Sequence, residues 1–152
     1  MNLILWRHAE AEDFSSDLSD LGRQLTPRGH KQAEEMAEWL KGELPADAVI
    51  LASPAIRTQQ TADALERPYR IDSGIAPGAR PESLISASGW PQAGGTTLLV
   101  GHQPTLGLLA SSLLAGRELG WSVKKAAIWW LQYREQYGNC ETVLRQMRTV
   151  RQ

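Results

Sequence analysis

A single cysteine, Cys140, is the only thiol in this 152-residue chain, so no internal disulfide can staple it. It sits beside the Gly138-Asn139 turn signal with no Cys or His at metal-ligand spacing, and reads as a structural or incidental thiol. Long apolar runs are missing as well. The N-terminal run Leu3 to Trp6 has four residues and meets Arg7 at once, far short of a signal peptide or a membrane span. A cytoplasmic, bacterial-type enzyme is the expectation that fits. Charge of one sign is not in excess: 16 basic and 17 acidic residues leave a formal net charge of -1. That removes the electrostatic case for nucleic acid or an anionic membrane as the main partner, although a local anion pocket needs only a few basic side chains. No carboxylate cluster has metal-ligand spacing, so no metal or other cofactor is expected. Repeats, low-complexity tracts and long linkers are absent too. Residues 1–152 therefore read as one domain, long enough to bury a core.

What is present alternates. Leu3-Ile4-Leu5-Trp6 is apolar at every position, as a strand buried on both faces requires. Thr26-Pro27 reads as N-cap and first helical residue, and Ala33, Met36, Ala37 and Leu40 follow at helical spacing, with Gly42 placed to end the helix. Ala48 to Leu51 is a second buried strand. Ser53-Pro54 is expected to cap a helix running to about Leu65, and a weak strand is expected near Tyr69-Arg70-Ile71. Pro77 to Gly95 is rich in Gly, Pro and Ser, with at most a short helix around Glu82 to Ala87. Thr97 to Val100 is another apolar strand, followed by a helix from Thr105 to Leu114 stopped by Gly116. Ala126 to Tyr133 and Glu141 to Met147 read as strands joined across the Gly138-Asn139 turn. This pattern predicts an α/β three-layer sandwich around a mostly parallel sheet with an antiparallel edge. Six tryptophans (Trp6, Trp39, Trp90, Trp121, Trp129 and Trp130) are expected to pack the core, with Trp90 or Trp121 as candidates for a partner surface.

The positions of a few polar residues say more than the architecture. His8 follows the first strand, His102 follows the strand ending at Val100, and Arg57 lies in the first turn of the helix after Ala48–Leu51. In open α/β sheets the carboxyl ends of neighbouring strands form the ligand crevice. Arg7, His8, Arg57 and His102 can therefore converge. Two guanidiniums and two imidazoles suit a dianionic phosphoryl group, since Arg matches phosphate oxygens with bidentate donors. Helix N-termini near Ser53-Pro54 and Pro104-Thr105 would add a favourable dipole.

Four segments carry a resemblance. Leu5-Trp6-Arg7-His8-Ala9-Glu10-Ala11 resembles the Arg-His-Gly nucleophile motif of the histidine phosphatase superfamily, which has the phosphoglycerate mutase-like fold. Leu25-Thr26-Pro27-Arg28-Gly29-His30-Lys31-Gln32-Ala33 is similar to its Leu-Thr-x-x-Gly-x-x-Gln-Ala helix start. Ser53-Pro54-Ala55-Ile56-Arg57-Thr58-Gln59-Gln60-Thr61-Ala62 is similar to its Ser-Pro-x-x-Arg-x-x-x-Thr-Ala segment, and Val100-Gly101-His102-Gln103-Pro104 to its second histidine motif. The resemblance implies that His8 is the nucleophile and becomes a phosphohistidine, while Arg7, Arg57 and His102 hold the phosphoryl oxygens. His8 must then attack as a neutral imidazole, its other nitrogen fixed by a hydrogen bond. His102 is expected to donate from a protonated ring. Arg23, just before Leu25-Thr26, is a candidate for the substrate side, with a surface charge as the plain alternative.

Two departures from the pattern point to the phosphohistidine phosphatase branch, the SixA type. Ala9 stands where the motif has glycine, and only about twenty-five residues separate Ile71 from Thr97, where larger members insert a cover bearing a glutamate acid. Glu82 is the sole carboxylate of that stretch after Asp72, and follows Pro77-Gly78-Ala79-Arg80-Pro81. It is a candidate substrate-side residue, with a helix N-terminal charge as the simpler account. The expected activity is metal-independent hydrolysis of phosphohistidine on a partner protein. A small-molecule phosphomonoesterase, a non-catalytic phospho-binding module and a mutase are the alternatives.

Overall fold

The computed structural model describes residues 1–151. The N-terminal apolar run forms β1 (Asn2–Arg7), in which Leu3, Ile4, Leu5 and Trp6 have no exposed surface. Successive side chains of a strand point to opposite faces, so such a run needs cover on both. Helices α1 (Pro27–Glu43) and α2 (Ile56–Asp63) supply one cover, packing Met36, Leu40 and Ala62 with Ile4, Trp6, Leu98 and Val100. Helices α3 (Pro81–Ser88) and α4 (Thr105–Ala115) supply the other, packing Leu84, Leu106 and Leu109 with Leu3, Leu5, Leu51 and Leu99. The result is the expected three-layer α/β sandwich.

The six strands lie in the order β3-β2-β4-β1-β5-β6. β2 (Val49–Ala52), β3 (Arg70–Ile71) and β4 (Thr96–Gly101) run parallel to β1, and β5 (Ile128–Gln136) and β6 (Asn139–Arg148) add an antiparallel hairpin. Trp6 and Ala52 both pair with Val100. The carboxyl ends of β1, β4 and β2 are therefore level, and the residues that follow them are neighbours.

Helix α1 begins as its sequence demands. Thr26 caps it, its hydroxyl accepting from the Gly29 amide at 2.9 Å, with Pro27 in the first turn. Gly29 lets the chain after β1 press against the helix, since a Cβ there would lie 1.9 Å from the Glu10 carbonyl oxygen. Several boundaries differ from expectation. α1 runs through Gly42 to Glu43 and ends at Leu44 in an extended conformation, so no glycine is needed there. α2 starts three residues beyond Ser53, with Ala55 at the cap and no side-chain cap. Its last turn tightens into i to i+3 bonds from Ala64, Leu65 and Glu66, so the α-helix stops at Asp63. The final hairpin is longer than its apolar core, because the polar tip continues the ladder through the Arg134–Glu141 pair. Trp90 is buried against Tyr133 and Trp121 is half-buried against Trp129, so both serve packing. Among the described residues no helix is long and apolar enough to cross a membrane.

Candidate active site

His8 is clamped by its own backbone. Its amide donates to the Gly101 carbonyl at the end of β4, and its carbonyl accepts from the Ala126 amide, both at 3.1 Å. The ring is fixed as well. Nδ1 lies 2.7 Å from the Ala9 carbonyl, which can only accept, so Nδ1 carries the proton and Nε2 keeps its lone pair. Burial pushes the ring's pKa down to about 4; the Ala9 bond works against this, and the Arg57, Arg7 and Arg23 charges work with it. His8 is thus neutral at physiological pH. Ala9 fits where the family motif has glycine because its backbone does not need a positive φ; its methyl is buried in the core and its amide donates to Thr61 Oγ1 at 3.1 Å.

Arg7 and Arg57 flank that ring. Arg7 Nη1 donates to the Val123 carbonyl at 3.0 Å, while Arg57 Nη1 donates to the Asp20 carbonyl at 2.8 Å and Nη2 to Asp20 Oδ2 at 3.1 Å. The Nε–H of each is buried with no partner in the protein. Burial lowers the pKa of both guanidiniums, with Asp20 partly restoring that of Arg57. Two guanidiniums lining one cavity suit an anion.

In the free site the His102 ring is neutral. Its Nδ1 lies 3.4 Å from Arg57 Nη2, which can only donate, so Nε2 carries the proton and donates to Ser53 Oγ at 2.7 Å. Burial, then the His8 and Arg57 charges, lower its pKa to about 3 against a weaker opposing pull from Asp20. The free site therefore holds both histidines neutral, their ring centroids 5.3 Å apart.

These groups meet in one cavity of about 190 Å³, lined by Arg7, His8, Arg57, His102 and Arg23, with half-buried Gln103 beside them and Asp13 and Lys125 toward solvent. Five of the six residues singled out in the sequence are brought together. Glu82 is not: it is exposed in the first turn of α3, 3.5 Å from Arg80, beside an open groove of about 780 Å³. That groove shares Pro77 with the cavity. Ser53 and Asp20 were missed. Ser53 opens the Ser-Pro-x-x-Arg segment, where a serine before a helix predicts a cap, and Asp20 lies in a polar stretch with no periodicity to mark it. Among the described residues no group of three or more His, Cys, Asp or Glu side chains is placed to hold a metal ion.

Comparison with known proteins agrees with this geometry. Residues 3–80 match the family model of the histidine phosphatase superfamily, branch 1. This chain belongs to that superfamily. A phosphohistidine phosphatase SixA homolog of Haemophilus influenzae is 33% identical over 132 residues, covering 77% of this chain and 79% of its own length. Phosphohistidine phosphatase SixA of Escherichia coli is 29% identical over 126 residues, 76% of each chain. The structure of the protein histidine phosphatase SixA complexed with tungstate superposes with a TM-score of 0.74 over 98% of this chain and 97% of that one, at 23% identity. As a member of the histidine phosphatase superfamily the chain is a phosphatase, and a cavity of fixed cationic donors around a neutral imidazole is the equipment such chemistry needs.

Proposed function

We propose that the chain is a cytoplasmic phosphohistidine phosphatase, one catalytic domain over residues 1–152, that works on a phosphorylated histidine of a partner protein through a phosphohistidine at His8. The observation that carries this reading is the Nδ1–Ala9 bond, which leaves His8 Nε2 unprotonated inside a cavity of guanidiniums. Nε2 attacks phosphorus in line as the bond to the substrate's ring nitrogen breaks. The substrate ring, already protonated on its other nitrogen, leaves as neutral imidazole with the electron pair of the broken bond on the leaving nitrogen. Water then attacks phosphorus on His8, the bond electrons return to Nε2 and the water proton passes to solvent, giving inorganic phosphate and neutral His8. Arg7 and Arg57, both lining the cavity, supply the positive charge and guanidinium donors for the phosphoryl oxygens. His102 serves beside them, and a bound dianion raises its pKa from the low value of the free site.

The leaving group supports the substrate class. An alkyl phosphate expels an alkoxide that needs a positioned acid, worth about a hundred- to ten-thousand-fold, whereas an imidazole protonated beforehand leaves unaided. Glu82 stands outside the cavity, whose mouth is bordered by the exposed Asp13 and Lys125, so a phosphorylated side chain of a protein can reach it. Exposed Cys140, unpaired, suits a reducing compartment. Side-by-side assays test the reading: kcat/KM for phosphohistidine should exceed that for a simple alkyl phosphate by at least about a hundredfold. Equal or better turnover of sugar or glycerate phosphates would favour a small-molecule phosphomonoesterase.

A further inference from the structure

We propose that Asp20 is a positioning residue for phosphoryl transfer, holding Arg57 and Arg23 in fixed orientation at the cavity; this rests on the reading of the site given above. Asp20 opens a single 3-10 turn, Asp20–Gly22, outside the core. Each of its three oxygens is nonetheless taken by a cavity arginine. Its carbonyl and Oδ2 accept from the two terminal nitrogens of Arg57 at 2.8 and 3.1 Å, and Oδ1 accepts from Arg23 Nε at 3.1 Å. Arg23 is secured a second time, its Nη1 donating to the Glu12 carbonyl at 2.7 Å.

The geometry is selective. Asp20 occupies the terminal edge of the Arg57 guanidinium and leaves Nε–H without a protein partner. Nη2, pulled by Oδ2, is also the donor that reaches His102 Nδ1 at 3.4 Å, and His102 in turn holds Ser53 at 2.7 Å. An unbroken chain of contacts thus runs Arg23–Asp20–Arg57–His102–Ser53, from the edge of the cavity to its floor. The pair is also unequal: the Arg57 side chain is 4% exposed and that of Asp20 46%. An exposed ion pair is worth little, but a buried guanidinium that loses its carboxylate is left uncompensated, its terminal edge held at Nη1 by the Asp20 carbonyl and without a carboxylate at Nη2. Burial works to raise the Asp20 carboxyl, yet the two arginines outweigh it and hold the carboxyl below its ordinary range, so it stays ionised.

A donor held rigid acts where charge develops, in the transition state, more than on ground-state binding. Asp20→Asn should therefore lower kcat for p-nitrophenyl phosphate about tenfold or more, with KM within about threefold. Asp20→Ala should do the same, both variants melting within a few degrees of wild type. In an Arg57→Ala background, adding Asp20→Asn should lower kcat by no more than about threefold, because only the hold on Arg23 is then left to lose. Wild-type kcat in both Asp20 variants, or an unchanged tenfold loss in the Arg57→Ala background, would overturn the assignment. Turnover that survives His8→Ala would instead overturn the reading of the site itself.

Discussion

The floor and the rim of the cavity are built on different principles. On the floor His8, Arg57 and His102 are 7%, 3% and 4% exposed, and backbone or buried side-chain bonds hold each one. At the rim Asp13 and Lys125 are exposed, and the neighbouring Arg80–Glu82 pair lies open to solvent. The floor stands where three parallel strands end level, so its geometry belongs to the sheet and costs no flexibility at the moment of reaction. The rim is carried by connecting segments, where selection among substrates can vary without disturbing the chemistry. Phosphoryl transfer is thus expected to be a property of the floor and substrate preference a property of the rim.

Substitutions can break that division. His8→Ala should lower kcat by on the order of ten-thousandfold or more, with the fold intact in thermal melts. Arg57→Ala should cost about a hundred- to a thousandfold, the range for removing one preorganised donor to a developing charge. At the rim, Glu82→Gln should leave phosphohistidine turnover within about tenfold, well below the worth of a positioned acid. Lys125→Ala should lower kcat/KM only a few-fold, an effect that fades as salt rises, because an exposed charge acts through a screened field. A Glu82→Gln loss as deep as that of Arg57→Ala would erase the difference between the two regions.

The floor also leaves a mark on stability. Both histidine rings have folded-state pKa values, about 4 and about 3, below the ordinary 6.5. The unfolded chain therefore takes up protons first as pH falls. Stability is full above pH 6.5 and declines below it until the folded rings themselves protonate, at about 1.4 kcal/mol per pH unit for each ring. Denaturant titrations from pH 7 to pH 4.5 should show this slope, and His102→Gln should reduce it. A ring resonance of His8 titrating near 6.5 would contradict the buried, neutral assignment.

How far the sequence reached follows the same division. Apolar runs and the capping residue Thr26 leave strong local signals, so β1, β2, β4 and α1 were legible, as was the sandwich they form. Arg7, His8 and His102 were legible because Arg7 closes β1, His8 follows it and His102 follows β4, and chain direction alone places strand ends at the crevice. Asp20 was not, since its role depends on an Arg57 contact 37 residues away that no periodicity announces. A serine before a helix ordinarily caps it; here the Ser53 hydroxyl accepts from the Ala55 amide ahead of the helix and from a buried imidazole, a contact that no local pattern announces. The protonated ring expected of His102 belongs to the phosphate-bound state; in the free site burial, which no local sequence pattern announces, keeps it neutral.

The central claim is that a neutral His8 takes the phosphoryl group itself. Rapid quench of the wild-type protein with labelled phosphohistidine, followed by peptide mapping, tests it most directly. The account predicts label on His8 in an acid-labile, alkali-stable linkage, formed and lost at rates that match turnover. Label on Ser53 or on no residue, with His8→Ala still turning over substrate, would contradict it.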